Sequence, residues 1–259
     1  MNLSAGFVIA ESFRTYFKHF VGVIRYPLIM ALLWGMFGIA SIAFLGTEFL
    51  SAGEDLPDPS WGAIATVVMM LVIVAIASIP LTLAMTRTLY RLYMGQPADT
   101  ISNEVHAVKH LIWPSIYTSL LAGIIILGGF ILLIIPGIWL GLRYSLVHTA
   151  LAIDGKTGPA ALKVSSDLIR GRWWRVFWWS LAAGVVIWIV STVLQFVVLT
   201  PVGFLASMSW EGGWVLSNLL GPVVSLLVFP LGALPAIIIY AELKKIGPAT
   251  EAVTPNPVQ

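Results

Sequence analysis

Residues with metal or phosphate spacing deserve the first reading. His106 and His110 stand one helical turn apart with Glu104 nearby, the arrangement by which a helix presents two imidazoles to a zinc ion. No glutamate follows His106 in the H-E-x-x-H order, so the pair reads as solvated side chains at an interface and no metal set is assigned. "DGKT" at 154–157 brushes the phosphate-loop pattern, but the position that needs a glycine ahead of Gly155 is Ala150, and a helical run precedes it where a strand is required. No cofactor is therefore expected. No nucleophile–base pair stands out either, so no catalytic residue is assigned and the chain reads as a non-enzyme.

The more telling polar residue is Arg143, which follows Pro136 and Gly137 in the apolar run "PGIWLGLRYSLVHTALAIDGK". If a membrane helix starts at Ile138 on the outer face, Arg143 lies about 7 to 8 Å inside it, and Gln195 and Asn218, counted likewise, lie about 6 Å deep. A charge at mid-helix costs about 3 kcal/mol to insert, so such residues pair inside a bundle or snorkel to phosphates. Two arrangements satisfy Arg143: a polar cluster with Gln195 and Asn218, or an outward reach to lipid phosphate or hairpin carbonyls.

These residues presuppose a membrane. Hydrophobic residues make up 59% of the chain and charged ones 10%, too little polar surface for a soluble globule. Cysteine is absent, which removes disulfides, thiolate metal sites and thiol-linked lipid anchors. The predicted fold is all-α and polytopic, with six transmembrane helices at about 27–46, 62–86, 114–135, 138–153, 176–199 and 214–240. Pro136-Gly137 separates the third and fourth as a tight hairpin. An apolar first span behind an amphipathic leader reads as a retained anchor.

Charge placement sets the orientation. Glu48, Glu54, Asp55 and Asp58 fall between spans one and two and Glu211 between five and six, with no Lys or Arg in either loop. The basic residues Arg14, Lys18, Arg25, Arg87, Arg91, Lys109, Lys156, Lys163, Arg170, Arg172, Arg175, Lys244 and Lys245 fall on the other side, so 13 of 14 mark it as cytoplasmic, with both termini there. Arg143 is the exception.

Amphipathic stretches precede each pair of spans, as a weak internal repeat. In the first, about 3–20, Ile9, Ala10, Phe13, Phe17 and Phe20 share an apolar face opposite Glu11, Arg14 and Lys18. In the second, about 99–112, Val105, Val108 and Ile112 oppose Asp99, His106 and Lys109. In the third, Pro159 opens a helix whose Ala161, Leu162, Ser165, Leu168 and Ile169 face inward and whose Lys163, Ser166, Asp167 and Arg170 face outward. "RGRWWRVFWW" at 170–179 places Arg172, Trp173, Trp174, Arg175, Trp178 and Trp179 at the mouth of the fifth span, as an aromatic belt or an anionic-lipid contact. Pro222 and Pro230 are expected to interrupt the last span. One membrane domain covers 1–246, and the proline-rich 247–259 reads as a disordered cytoplasmic tail.

The stretch from Pro136 and Gly137 through Arg143, Asp154, Gly155, Ala161, Leu162, Ser165 and Gly171 to Trp173 and Trp174, with the ending "FPLGALPAIIIYAELKK", resembles a family of six-helix membrane domains. That domain occurs alone in many bacterial proteins and elsewhere precedes a cytoplasmic glycerophosphodiester phosphodiesterase. The resemblance implies a fold in a bacterial inner membrane rather than a reaction: too little chain follows Lys245 for a catalytic domain, and none of His19, His106, His110 and His148 stands in an H-R-G setting. The expected role is an integral membrane protein that organises or binds lipids, anionic ones among them, or partner membrane proteins, with no nucleic acid. The alternative is a transporter or channel built on Arg143, Gln195 and Asn218.

Overall fold

The computed structural model describes residues 4–51, 61–207 and 212–247, and nearly all of them are helical, with no strand among them. The helices are α1 (Ala5–Lys18), α2 (Phe20–Val23), α3 (Arg25–Ser51), α4 (Trp61–Tyr93), α5 (Ile101–Val108), α6 (Ile112–Leu132), α7 (Ile134–Arg143), α8 (Val147–Asp154), α9 (Gly158–Ile169), α10 (Trp173–Ser207) and α11 (Gly212–Ile246). Among the described residues five stretches are long and apolar enough to cross a membrane: Phe20–Ser41, Trp61–Tyr93, Ile101–Leu132, Trp173–Val202 and Val224–Ile246.

Two antiparallel pairs form the frame. The Tyr26 and Thr88 hydroxyls lie 2.7 Å apart, joining the start of α3 to the end of α4. Arg172 Nη1 donates to the Gly247 carbonyl at 2.8 Å, joining the entrance of α10 to the exit of α11. Tyr93 donates to Glu242 Oε1 at 2.7 Å and ties the two pairs together. All three links mark one end of the bundle, here called the basal end. The core lies there too: Leu89 of α4, Val176 of α10, Leu151 of α8 and Ile237, Ile238 and Leu243 of α11 are buried. Farther along the same helices the surface is apolar and open, as at Met36, Ile73, Trp188 and Phe196, the pattern of helices that face hydrocarbon.

The fourth expected span is not a single helix. α6 ends at Leu132, and Leu133 takes an extended conformation (φ −164°, ψ 153°) that caps α7. The turn therefore falls ahead of Pro136-Gly137, which sits inside α7. Proline is favoured in a helix's first turn, where its missing N–H would be unpaired anyway, so the turn moves upstream of it. Gly137 instead serves the packing of α7 on α6: a Cβ there would overlap the Phe130 ring, and one at Gly129 would lie 2.7 Å from Leu140. The run breaks a second time between α7 and α8. Ser165 of α9 bridges that gap, its hydroxyl donating to the Arg143 carbonyl at 2.8 Å and accepting from the Leu146 N–H at 3.3 Å.

The turn between α6 and α7 also lies near the basal end. Trp173 Nε1 at the start of α10 donates to the Trp139 carbonyl at 3.3 Å. Six residues separate Trp139 from the turn at Leu133, about 9 Å of helix, whereas α10 runs about 52 Å.

Two other expectations change. α1 docks on α10 and α11 through Val8, Ser12, Thr15 and Tyr16, with the Tyr16 hydroxyl donating to the Leu227 carbonyl at 2.8 Å. Of the stripe read as its apolar face, Ile9 and Phe13 pack partly against the core, while Phe17, 67% exposed, and Phe20, 39% exposed, stay open. Ser12 turns its hydroxyl onto the Val8 carbonyl, so a nominally polar residue fits the docked face. Residues 222, 230 and 235 lie within the uninterrupted helix α11, so Pro222 and Pro230 do not break it. Proline is tolerated where neighbouring helices cover the backbone.

Candidate functional site

α9 positions the site. Glycine opens it with a positive φ of 54° at Gly158, whose amide donates to Thr118 Oγ1 of α6 at 2.7 Å. Ala161, Leu162, Ser165, Leu168 and Ile169 are buried as one face, and the helix spans from α6 across to α7 and α8. Ser166, assigned outward on periodicity, is buried as well, because Arg143 lies on it: Arg143 Nε donates to Ser166 Oγ at 2.7 Å. The guanidinium carbon sits 4.8 Å from the centre of the Trp139 ring, one turn back on α7. The hydrogen bond and the ring together restrain the guanidinium.

Around it lies a groove of about 320 Å³ lined by Trp139, Arg143, Ser166, Ile169, Arg170, Gly171 and Trp173. A second hollow of about 270 Å³, lined by Ile135, Ile138, Trp139, Trp173 and Trp174, shares its Trp139–Trp173 wall. One half is cationic and the other apolar and aromatic. No carboxylate lines either half.

Of the proposed polar level, Arg143 and Gln195 do not meet. Arg143 belongs to this basal groove, while Gln195 lies about six turns beyond Trp173 in α10, about 33 Å away, and donates to Ser191 Oγ at 3.2 Å. The Asn218 side chain lies outside the described residues, as do those of Glu48 and Pro222 and the whole of Glu211. The Trp173–Trp139 bond sets α7 beside the start of α10, so Arg143 and Gln195 lie at different levels of the bundle.

The Trp-Arg belt divides into different duties. Trp174, Arg175 and Trp178 are exposed, Trp173 bonds to Trp139 and stacks on Phe177, and Trp179 belongs to the core. Arg172 holds the last carbonyl of the α11 turn. Arg172→Gln should therefore lower the thermal midpoint measurably in detergent, by about 1 to 2 kcal/mol of stability for a lost charged hydrogen bond, while Arg175→Gln leaves it unchanged. Equal midpoints would show that the Gly247 bond contributes nothing.

Three carboxylates that sequence reasoning left unassigned organise the basal end. Glu104, 2% exposed, accepts from Arg91 Nη1 at 2.6 Å and faces Arg87 Nε at 3.4 Å. Asp154 accepts from the Tyr240 hydroxyl and from Lys244 Nζ, both at 2.6 Å. Glu242 accepts from Tyr93 and from Lys245. At the mouth of α5, the Asn103 side chain and then the Thr100 N–H hold the Asp99 carboxyl below its usual pKa, with Arg91 adding to the effect. The histidine pair finds no carboxylate partner in Glu104: His106 Nε2 lies 2.8 Å from Lys109 Nζ, and among the described residues no three His, Asp or Glu converge. Helical spacing advertised the local contacts, Trp139 with Arg143 at i, i+4 and Glu242 with Lys245 at i, i+3, but not the long-range ones to Glu104 and Asp154.

Long apolar helices with a basic, tryptophan-walled groove at one end define a multi-helix protein suited to a membrane. The chain belongs to the family described as a domain of unknown function, DUF7847, whose model matches residues 19–240. No curated protein and no solved structure matches it.

Proposed function

We propose that the chain is a non-enzymatic, multi-pass protein of a bacterial cytoplasmic membrane, with both termini inside, and that it binds and organises lipid at the inner leaflet. In this reading α3, α4, α10 and α11 cross, and α6–α7 enters and leaves from the cytoplasmic face. The groove at the basal end, cationic on one side and apolar on the other, carries the proposal. Orientation supports it independently. With six crossings Arg143 is the one basic residue away from the cytoplasmic set, whereas with a re-entrant hairpin it joins Arg170 and Arg172, and all 14 basic residues share one side. Removing one hairpin from the count leaves both termini on the same side. The resemblance to the membrane domain that precedes phosphodiesterases supports the membrane setting and adds no reaction.

The absence of cysteine makes a direct test simple. Single cysteines at Asp55 and at Ile134 are exposed, in intact cells, to a membrane-impermeant thiol reagent. Asp55→Cys should react and Ile134→Cys should stay protected until the membrane is opened. Reaction of Ile134→Cys from outside would restore six crossings and remove the inner-leaflet reading.

A further inference from the structure

We infer that the two adjoining hollows form a site for a single phospholipid, with the phosphodiester held by Arg143 and Arg170 and an acyl chain laid against Ile135, Ile138 and Trp174; this deepens the lipid-organising reading and rests on it.

The cationic half is built rather than incidental. Arg143 commits Nε to Ser166 and sets its guanidinium carbon over the Trp139 ring, which leaves both Nη groups free to donate. Among the described residues neither these groups nor the Arg170 guanidinium has a hydrogen-bond or ion-pair partner, while every arginine named in an ion pair lies elsewhere. Two guanidinium groups lining one groove with no carboxylate to pair with leave a positive charge to be met. A planar fork of N–H donors matches phosphate oxygens, and its orientation is already set by Ser166 and Trp139, so little side-chain freedom is lost on binding.

The apolar half selects the source of that phosphate. Ile135 is 80% and Trp174 67% exposed, so this wall opens outward. A free phosphate makes no contact with that wall, whereas the acyl chain of a lipid lies along it. Indole rings favour the headgroup layer, and the Trp139–Trp173 wall stands where a glycerol backbone passes from head to chain. Gly171, with φ 74°, turns the chain between α9 and α10 and lines the cationic half without a side chain to obstruct it.

The test uses the full-length chain in detergent, titrated with dioleoyl phosphatidylglycerol and followed by native mass spectrometry. Dioleoylglycerol supplies the same chains without phosphate, and glycerol 3-phosphate the head without chains. One phospholipid should be retained per chain, with both partial ligands much weaker. Arg170→Gln should weaken retention about tenfold, as should Arg143→Lys, which keeps the charge but loses the fork. Arg170 is exposed and unpartnered, so its variant should keep the wild-type thermal midpoint. Arg175→Gln, exposed but outside the groove, should bind like the wild type. Equal binding of dioleoylglycerol or of glycerol 3-phosphate would overturn the single-lipid site, and so would an equal loss in Arg175→Gln. If several phospholipids are retained and no variant alters them, the groove assignment fails while lipid organisation stands. If the wild type retains none in detergent or in native lipid discs, the proposed function itself fails.

Discussion

Arg91→Met should destabilise the protein by about 3 kcal/mol, because it strips a buried carboxylate of its hydrogen-bonded partner. Glu104 is 2% exposed, and Arg91 Nη1 at 2.6 Å makes its charged hydrogen bond. Its other oxygen, buried, faces Arg87 Nε at 3.4 Å without hydrogen-bond geometry, so Arg87 compensates charge but does not replace the bond. Arg87→Met should accordingly cost less, about 1 kcal/mol. The two arginines are about a third exposed, so removing the acid instead lets them hydrate. A double variant Arg91→Met with Glu104→Met should therefore recover much of the loss, as buried pairs replaced by apolar side chains often do. Reversible unfolding in mixed detergent measures the cycle. Additive losses in the double variant would show that the carboxylate is not committed to Arg91. The consequence reaches the groove, since this pair anchors α5 to α4 and α5 leads into α6.

The second large effect is expected at Asp154. Asp154→Ala leaves the Tyr240 hydroxyl, in a residue 0% exposed, without an acceptor, for about 1 to 3 kcal/mol. Lys244 is 47% exposed, and its released ammonium hydrates at little cost. Asp154→Asn keeps an acceptor for Tyr240 and should lie between. Pairing Asp154→Ala with Tyr240→Phe removes the orphaned hydroxyl and should return most of the stability, measured by the same unfolding assay. No return would place the cost in the backbone turn at Gly155 rather than in the hydroxyl. Asp154 ends α8 and Tyr240 lies in α11, so this contact holds the unit carrying Arg143 against the bundle.

The sequence alone determined the solvent and the elements. Apolar runs of membrane length have few folded alternatives in hydrocarbon, where every backbone group must be bonded within its own helix, so an all-helical chain with long apolar helices was legible from composition and run length. The buried face of α9 was legible from its 3.6-residue period, and its proline start from the rigid ring.

Tertiary structure decided what periodicity does not encode. On α1 several faces are apolar enough to bury, and packing on α10 and α11 fully buried Val8, Ser12 and Tyr16 and only partly Ile9 and Phe13, because Tyr16 found a carbonyl on α11 and Ser12 one in its own helix. At Arg143 the count of residues from a supposed outer face gave a depth, but a depth along one helix says nothing about which end of the bundle that helix occupies. Ser165 and Trp173, distant in sequence, brought the broken α7–α8 run to the basal end and made Arg143 a neighbour of Arg170 rather than of Gln195. A charge's cost in a membrane is visible in one dimension; its partner is chosen in three, where hydrogen-bond geometry and close packing decide.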